Sequence, residues 1–155
     1  MATTNINTGP PVTGEFTANL LDGSGVPPND VIRVGDQFSL ECSWYIDGGL
    51  ASSIGGTWYV RAAFESVGPG PEFYSDEISV TLDGRTGPSG GSGPYTATLV
   101  FPPGQNFPGG AGPKVPTGTR FGTYEVAVIL SYSDVAGNPG PIAASVNLER
   151  MTIFP

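Results

Sequence analysis

The chain has 155 residues, a formal charge of −8, and 24 Gly and 16 Pro, a share of turn formers that borders on what low-complexity chains show. Yet 38% of its residues are hydrophobic and only 13% are charged, the reverse of a disorder signature. With no His, one Cys and one Lys, the composition excludes most metal sites, Ser-His and Cys-His catalysis, and nucleic-acid binding.

Residues 1–13, rich in Thr and Asn with Pro10-Pro11, read as a flexible N-terminal arm. A second reading makes this arm a strand that adds to the edge of a neighbouring copy. Residues 14–155 form one domain, a length that allows a sizeable core. Period-two alternation then recurs between Gly/Pro/Asp/Asn clusters, and each run predicts a half-buried strand. Phe16, Ala18 and Leu20 make the first, and Phe38, Leu40, Cys42 and Trp44 the second. Trp58, Val60, Ala62 and Phe64 make the third, and Ile78, Val80 and Leu82 the fourth. Tyr95, Ala97, Leu99 and Phe101 follow, then the longest run, Tyr124, Val126, Val128, Leu130 and Tyr132. The last run, Ile142, Ala144, Val146 and Leu148, changes phase before Met151 and Ile153, which predicts a bulge near Glu149-Arg150 or a strand that passes the core's edge there.

Seven or eight half-buried antiparallel strands need two sheets packed face to face. No stretch has the periodicity of a helix longer than a turn. The expected fold is therefore an all-β sandwich. Residues 84–94 and 102–122 stand out as long Gly/Pro-rich loops, the second with Phe107, Val115 and Phe121 spaced through it.

Three local features line up. Leu40-Glu41-Cys42-Ser43-Trp44 lies in an early strand, Trp58 follows 16 residues after the Cys, and Gly122-Thr123-Tyr124-Glu125-Val126 opens a late strand. Together they resemble the immunoglobulin-like β-sandwich, including its disulfide-lacking bacterial and fibronectin type III cousins. The resemblance implies that Cys42, Trp58, Tyr124 and Val126 are core residues. It also implies that the Tyr124 hydroxyl returns to the backbone at a corner between the sheets. Val126 stands where the second Cys would be, so Cys42 is expected as a small buried hydrophobe facing Val126.

Little in the sequence suggests catalysis, and the chain is read as a non-enzyme. Asp76-Glu77 is the one adjacent acid pair considered for acid–base work, and in a strand such neighbours point to opposite faces. No cofactor is expected. A calcium site would have to be assembled from separate loop acids, Asp22, Asp30, Asp47, Asp83 and Asp134. Aromatic and apolar residues on outward phases or in loops are the candidate interaction residues: Tyr45, Tyr59, Phe73, Tyr74, Phe107 and Ile129. They suit a structural or protein-interaction module whose partner is itself, as a homo-oligomer or filament. The alternative is a glycan-binding module assisted by calcium.

The six basic residues are scattered, so a nucleic-acid partner is not expected. No run approaches the roughly 18 apolar residues of a membrane span, so no membrane insertion is expected. The first 16 residues lack a basic stretch and an apolar segment of signal-peptide type. An unpaired Cys favours a reducing compartment, whereas a leader removed beforehand would place the protein outside the cell.

Overall fold

The structure is a computed structural model that describes residues 1–6, 8, 12–24, 31–33, 36–67, 72–87, 94–101 and 122–154, the side chains of Arg33, Phe73 and Phe154 excepted. The loop residues 88–93 and 102–121, with Phe107, and Asp30 lie outside the described residues. Eleven strands are described: β1 (Ala2–Asn5), β2 (Thr13–Asp22), β3 (Val31–Arg33), β4 (Phe38–Asp47), β5 (Gly56–Ser66), β6 (Phe73–Tyr74), β7 (Ile78–Leu82), β8 (Tyr95–Phe101), β9 (Gly122–Ser133), β10 (Ala144–Asn147) and β11 (Met151–Phe154). A single 3-10 turn, Ala51–Ser53, precedes β5. The strands form two sheets, the smaller in the order β1-β2-β4-β8. The larger runs β3-β11-β9-β5-β6, with β10 also on β9 and β7 also on β5. This is an all-β sandwich.

The strand count exceeds the expected seven or eight for two physical reasons. First, two long strands are each broken by a bulge. Leu148 N–H still donates to the Val126 carbonyl, but Met151 faces Tyr124, so Glu149 and Arg150 together oppose the single Glu125. The bulge expected at Glu149-Arg150 is therefore present. A second one, not foreseen, divides β6 from β7. Ser75 N–H donates to the Ala62 carbonyl and Ile78 faces Val60, which leaves Asp76 and Glu77 opposite Arg61. The acid pair thus sits in a strand break.

Second, two short strands carry no periodicity of their own to read. The segment read as a flexible arm instead contains β1, antiparallel to β2 from Ala2 opposite Ala18 to Asn5 opposite Glu15. Ile6 and Val12 are buried in the core, which ties the segment to its own domain. β3 pairs with β11 in parallel, an exception to the all-antiparallel expectation.

Side-chain size is sorted into layers across the smaller sheet. The register places Phe16, Trp44 and Tyr95 in one inward row, then Ala18, Cys42 and Ala97, then Leu20, Leu40 and Leu99, then Phe38 and Phe101. The aromatic row reaches the other sheet through Trp58 of β5, whose ring centroid lies 6.1 Å from that of Trp44 and 5.9 Å from that of Tyr95. At the opposite end Phe64, also on β5, meets Phe101 edge-on at 5.4 Å, and Phe101 stacks on Phe38 at 4.6 Å. Aromatic pairs in these geometries add about 0.5–1.5 kcal/mol beyond their area burial.

The four residues expected in the core, Cys42, Trp58, Tyr124 and Val126, are all buried. The Tyr132 hydroxyl donates to the Gly55 carbonyl at 2.7 Å while its ring packs edge-on against Trp58. The neighbouring Gly56 opens β5 at φ of +135°, where a Cβ would meet the Ser133 carbonyl oxygen. Only glycine fits there.

Three outcomes are expected. Gly56→Ala lowers stability by more than about 1 kcal/mol in urea unfolding, because both the backbone angle and the space oppose a side chain. Burial, helped by the Glu41 carboxylate, pushes the Cys42 thiol up to about 12 from an ordinary 9.0. A thiol-specific chromogenic reagent at pH 8 should therefore leave Cys42 untouched in the native protein and react fully after denaturation. Because the folded value is the higher one, the thiol's contribution is complete below pH 9 and declines as pH rises toward 12. Cys42→Ala should show a flatter alkaline profile.

Candidate interaction surfaces

The outer face of the larger sheet gathers three of the six candidate interaction residues. β5 turns Tyr59, Arg61, Ala63 and Glu65 outward, and the register sets Ser131, Ile129, Ala127 and Glu125 of β9 beside them in that order. Tyr74 of β6 lies directly opposite Ala63 and so joins the same face. Arg61 places its guanidinium carbon 4.9 Å from the Tyr74 ring centroid, a cation–π contact that holds an otherwise half-exposed ring. Tyr59 is half-buried, its hydroxyl accepting from Ser133 Oγ at 3.4 Å. Ile129 is likewise half-buried, flanked by Arg61 and Ser145.

A shallow depression of about 420 Å³ follows from side-chain size on this face. Ala63 and Ala127 are too small to fill their positions, and the bulge draws Leu148 and Arg150 to one rim. Glu65 and Glu125 stand directly opposite each other, a repulsive arrangement across a strand pair. Arg150 relieves it, with Nε 3.0 Å from Glu125 Oε1. Both partners are well exposed, so this ion pair adds little stability.

The other candidates are elsewhere. Tyr45 projects from the outer face of the smaller sheet, opposite Glu15, and so lies on the far side of the sandwich from Tyr59. That face is dominated by hydroxyls: Thr3, Thr17, Ser43 and Thr96 fall in one row, with the Thr3 and Thr17 hydroxyls 3.1 Å apart. Phe73 belongs to β6 by its backbone, and its side chain is outside the description, as is Phe107.

The sheet edges differ more than the faces do. β6 and β7 present an edge interrupted by the Asp76-Glu77 bulge, and both acids are exposed. β3 is three residues long, and β1 four. β10 lies beside β1 and β2, where the two sheets approach each other. By contrast β8 runs seven residues, Tyr-Thr-Ala-Thr-Leu-Val-Phe, without a charge, Pro, Gly or bulge. Among the described residues no strand pairs with its outer side. Sequence reasoning found this strand, but it did not single out its outward residues Thr96, Thr98 and Val100. The signal was the lack of any charge in 95–101; that the strand is an edge is a property of the whole fold.

The described loop acids Asp22, Asp47, Asp83 and Asp134 do not converge. Among the described residues no group of three or more His, Cys, Asp or Glu side chains is placed to hold a metal. Asp22 and Asp47 accept from the nearby Ser24 and Gly48 N–H groups, and Asp134 accepts from those of Ala136 and Asn138. These are local turn bonds. Asp83 instead takes a two-point contact from Arg85, 2.8 Å from Nε and 2.7 Å from Nη2. Arg85 also donates to the Pro94 carbonyl at 3.4 Å and lies 4.8 Å over the Tyr95 ring. One arginine thereby pins the two ends of the Gly-rich loop 84–94 where it enters β8.

The Arg85 hydrogen bonds hold the Asp83 carboxyl at about 2, below its ordinary 3.8. Its contribution to folding is present above pH 4 and is lost as pH falls toward 2. In a carbon-detected NMR titration Arg85→Gln should return the Asp83 value toward 3.8.

No family model matches the chain, and no curated protein sequence matches it. Among solved structures, it is similar to a CARDB domain from Pyrococcus furiosus that was determined in complex with di-metal ions. Identity is 14%, the likeness covers 89% of this chain and 91% of that one, and the TM-score is 0.43.

Proposed function

We propose that the chain is a non-enzymatic, immunoglobulin-like module that works by protein–protein contact, its partner being further copies of itself. The contrast among its edges carries this reading. Sandwich proteins that stay apart blunt their edges with charges, prolines, bulges or short strands. Here the β6/β7 edge is blunted by Asp76 and Glu77, while among the described residues β8 itself carries no charge, Pro or bulge. A chain carrying −8 gains solubility from its charge and nonetheless leaves a seven-residue edge free of it. The half-buried Tyr59 and Ile129 beside Tyr74 supply a second surface for contacts of the same kind. Among the described residues no observation favours the glycan alternative, since one face of Tyr74 is taken by Arg61 and Tyr59 is half-buried.

Light scattering across low to high micromolar concentration should give a mass that rises above the 15.9 kDa of one chain toward whole multiples of it. A strict monomer throughout overturns the self-association. A reproducible signal on a glycan array, abolished by Tyr59→Ala with Tyr74→Ala, would favour the alternative.

A further inference from the structure

The outer face of the larger sheet carries an unanswered charge at each end. Arg61 and Glu65 point the same way from β5, four residues and about 13 Å apart, too far for either to pair with the other. Both are exposed, and among the described residues neither has an ion-pair partner. Glu65 stands opposite Glu125, whose charge Arg150 already answers, so Glu65 is the carboxylate left over. At the other end Arg61 stacks on the Tyr74 ring. That contact occupies the flat side of the guanidinium and leaves the N–H groups along its edge open to a carboxylate.

These two charges match each other across a two-fold axis. With the axis running across the strands over the row Tyr74-Ala63-Ala127, each strand of one copy lies antiparallel over the same strand of the other. Arg61 of each copy then comes over Glu65 of the other, and symmetry makes the contact twice. Packed sheets stand about 10 Å apart with their strands within about 30°, a gap that an Arg and a Glu side chain span together. Ala63 and Ala127 keep the middle of the face low, so nothing there holds the sheets further apart. The two Tyr74 rings, each 51% exposed in the single chain, meet on the axis. The smaller sheet offers no such match. Its four strands hold no Lys or Arg, and Glu15, Glu41 and Asp47 point outward from it. Two copies meeting by that face would set acids against acids.

We infer, building on the self-association reading above, that a second copy docks on the outer face of the larger sheet, with Arg61 of each chain bridging to Glu65 of the other. The product is a closed, isologous dimer of two sandwiches stacked face to face. Its specificity comes from charge order along β5: the same strand offers a base and an acid two residues either side of a small central one.

Charge reversal and mixing test this by sedimentation velocity. Arg61→Glu and Glu65→Arg each set like charges face to face, and each should raise the dimer dissociation constant at least about tenfold. Mixed in equal amounts, the two variants present acids on one chain and bases on the other, and should form a heterodimer about as tight as the unsubstituted dimer. The chain carrying both changes should likewise dimerise with itself. Mixing cannot repair a variant that is merely misfolded, and within one chain the two positions lie too far apart to compensate each other. If the unsubstituted chain dimerises but neither variant weakens the dimer, or the mixture stays monomeric, this interface is overturned and self-association through another surface stands. A chain that sediments only as a monomer overturns both.

Discussion

Packing between the two sheets rests on the aromatic contacts that β5 makes with the smaller sheet. Trp58 reaches Trp44 and Tyr95 at one end, and Phe64 reaches Phe101 at the other, so a single strand fastens both ends of the sandwich. Between these contacts the smaller sheet offers a row of two alanines and a cysteine, then a row of leucines. Bulk is thus concentrated where the sheets are joined. Loss of Trp58 would remove a buried ring of a kind whose truncation costs about 3–5 kcal/mol, a large part of a typical domain's stability.

That layering also shows how much of the fold was legible in the chain. Period-two alternation located the seven main strands, because each has one buried face and one solvated face. The order of sizes within three of them, Phe16-Ala18-Leu20, Phe38-Leu40-Cys42-Trp44 and Tyr95-Ala97-Leu99-Phe101, contains their register as well. Size matches size only when the middle strand runs opposite to the other two. The phase change at Glu149-Arg150 was visible for the same reason, since a bulge must shift the buried face. The break at Asp76-Glu77 was less visible, because the only strand residues before it are Phe73 and Tyr74, too few to set a phase. β1 and β3 were missed on similar grounds: short segments draw their structure from a neighbour, not from their own pattern.

The candidate surfaces were legible only residue by residue. Outward phase correctly put Tyr59 and Ile129 outside the core, but which face they share depends on which strands are neighbours. Tyr45 went to the opposite face because β4 and β5 belong to different sheets. Arg61 carried no local signal, since its stacking on Tyr74 arises from the β5–β6 pairing. The two bulges act differently on their surroundings. One sets acids along an outer edge, and the other forms one rim of the depression in a face and brings Arg150 to a repelling pair of glutamates.

The row Ala18-Cys42-Ala97 has a consequence for where such a domain can work. Its cohesion comes from ring contacts and apolar burial, and its one thiol is enclosed and held protonated. There is no second cysteine for it to meet. Neither glutathione nor an oxidising milieu has a bond in this fold to make or break. A lone cysteine first favoured a reducing compartment; enclosed in this row, Cys42 is shielded from exchange with small thiols and weighs toward no compartment.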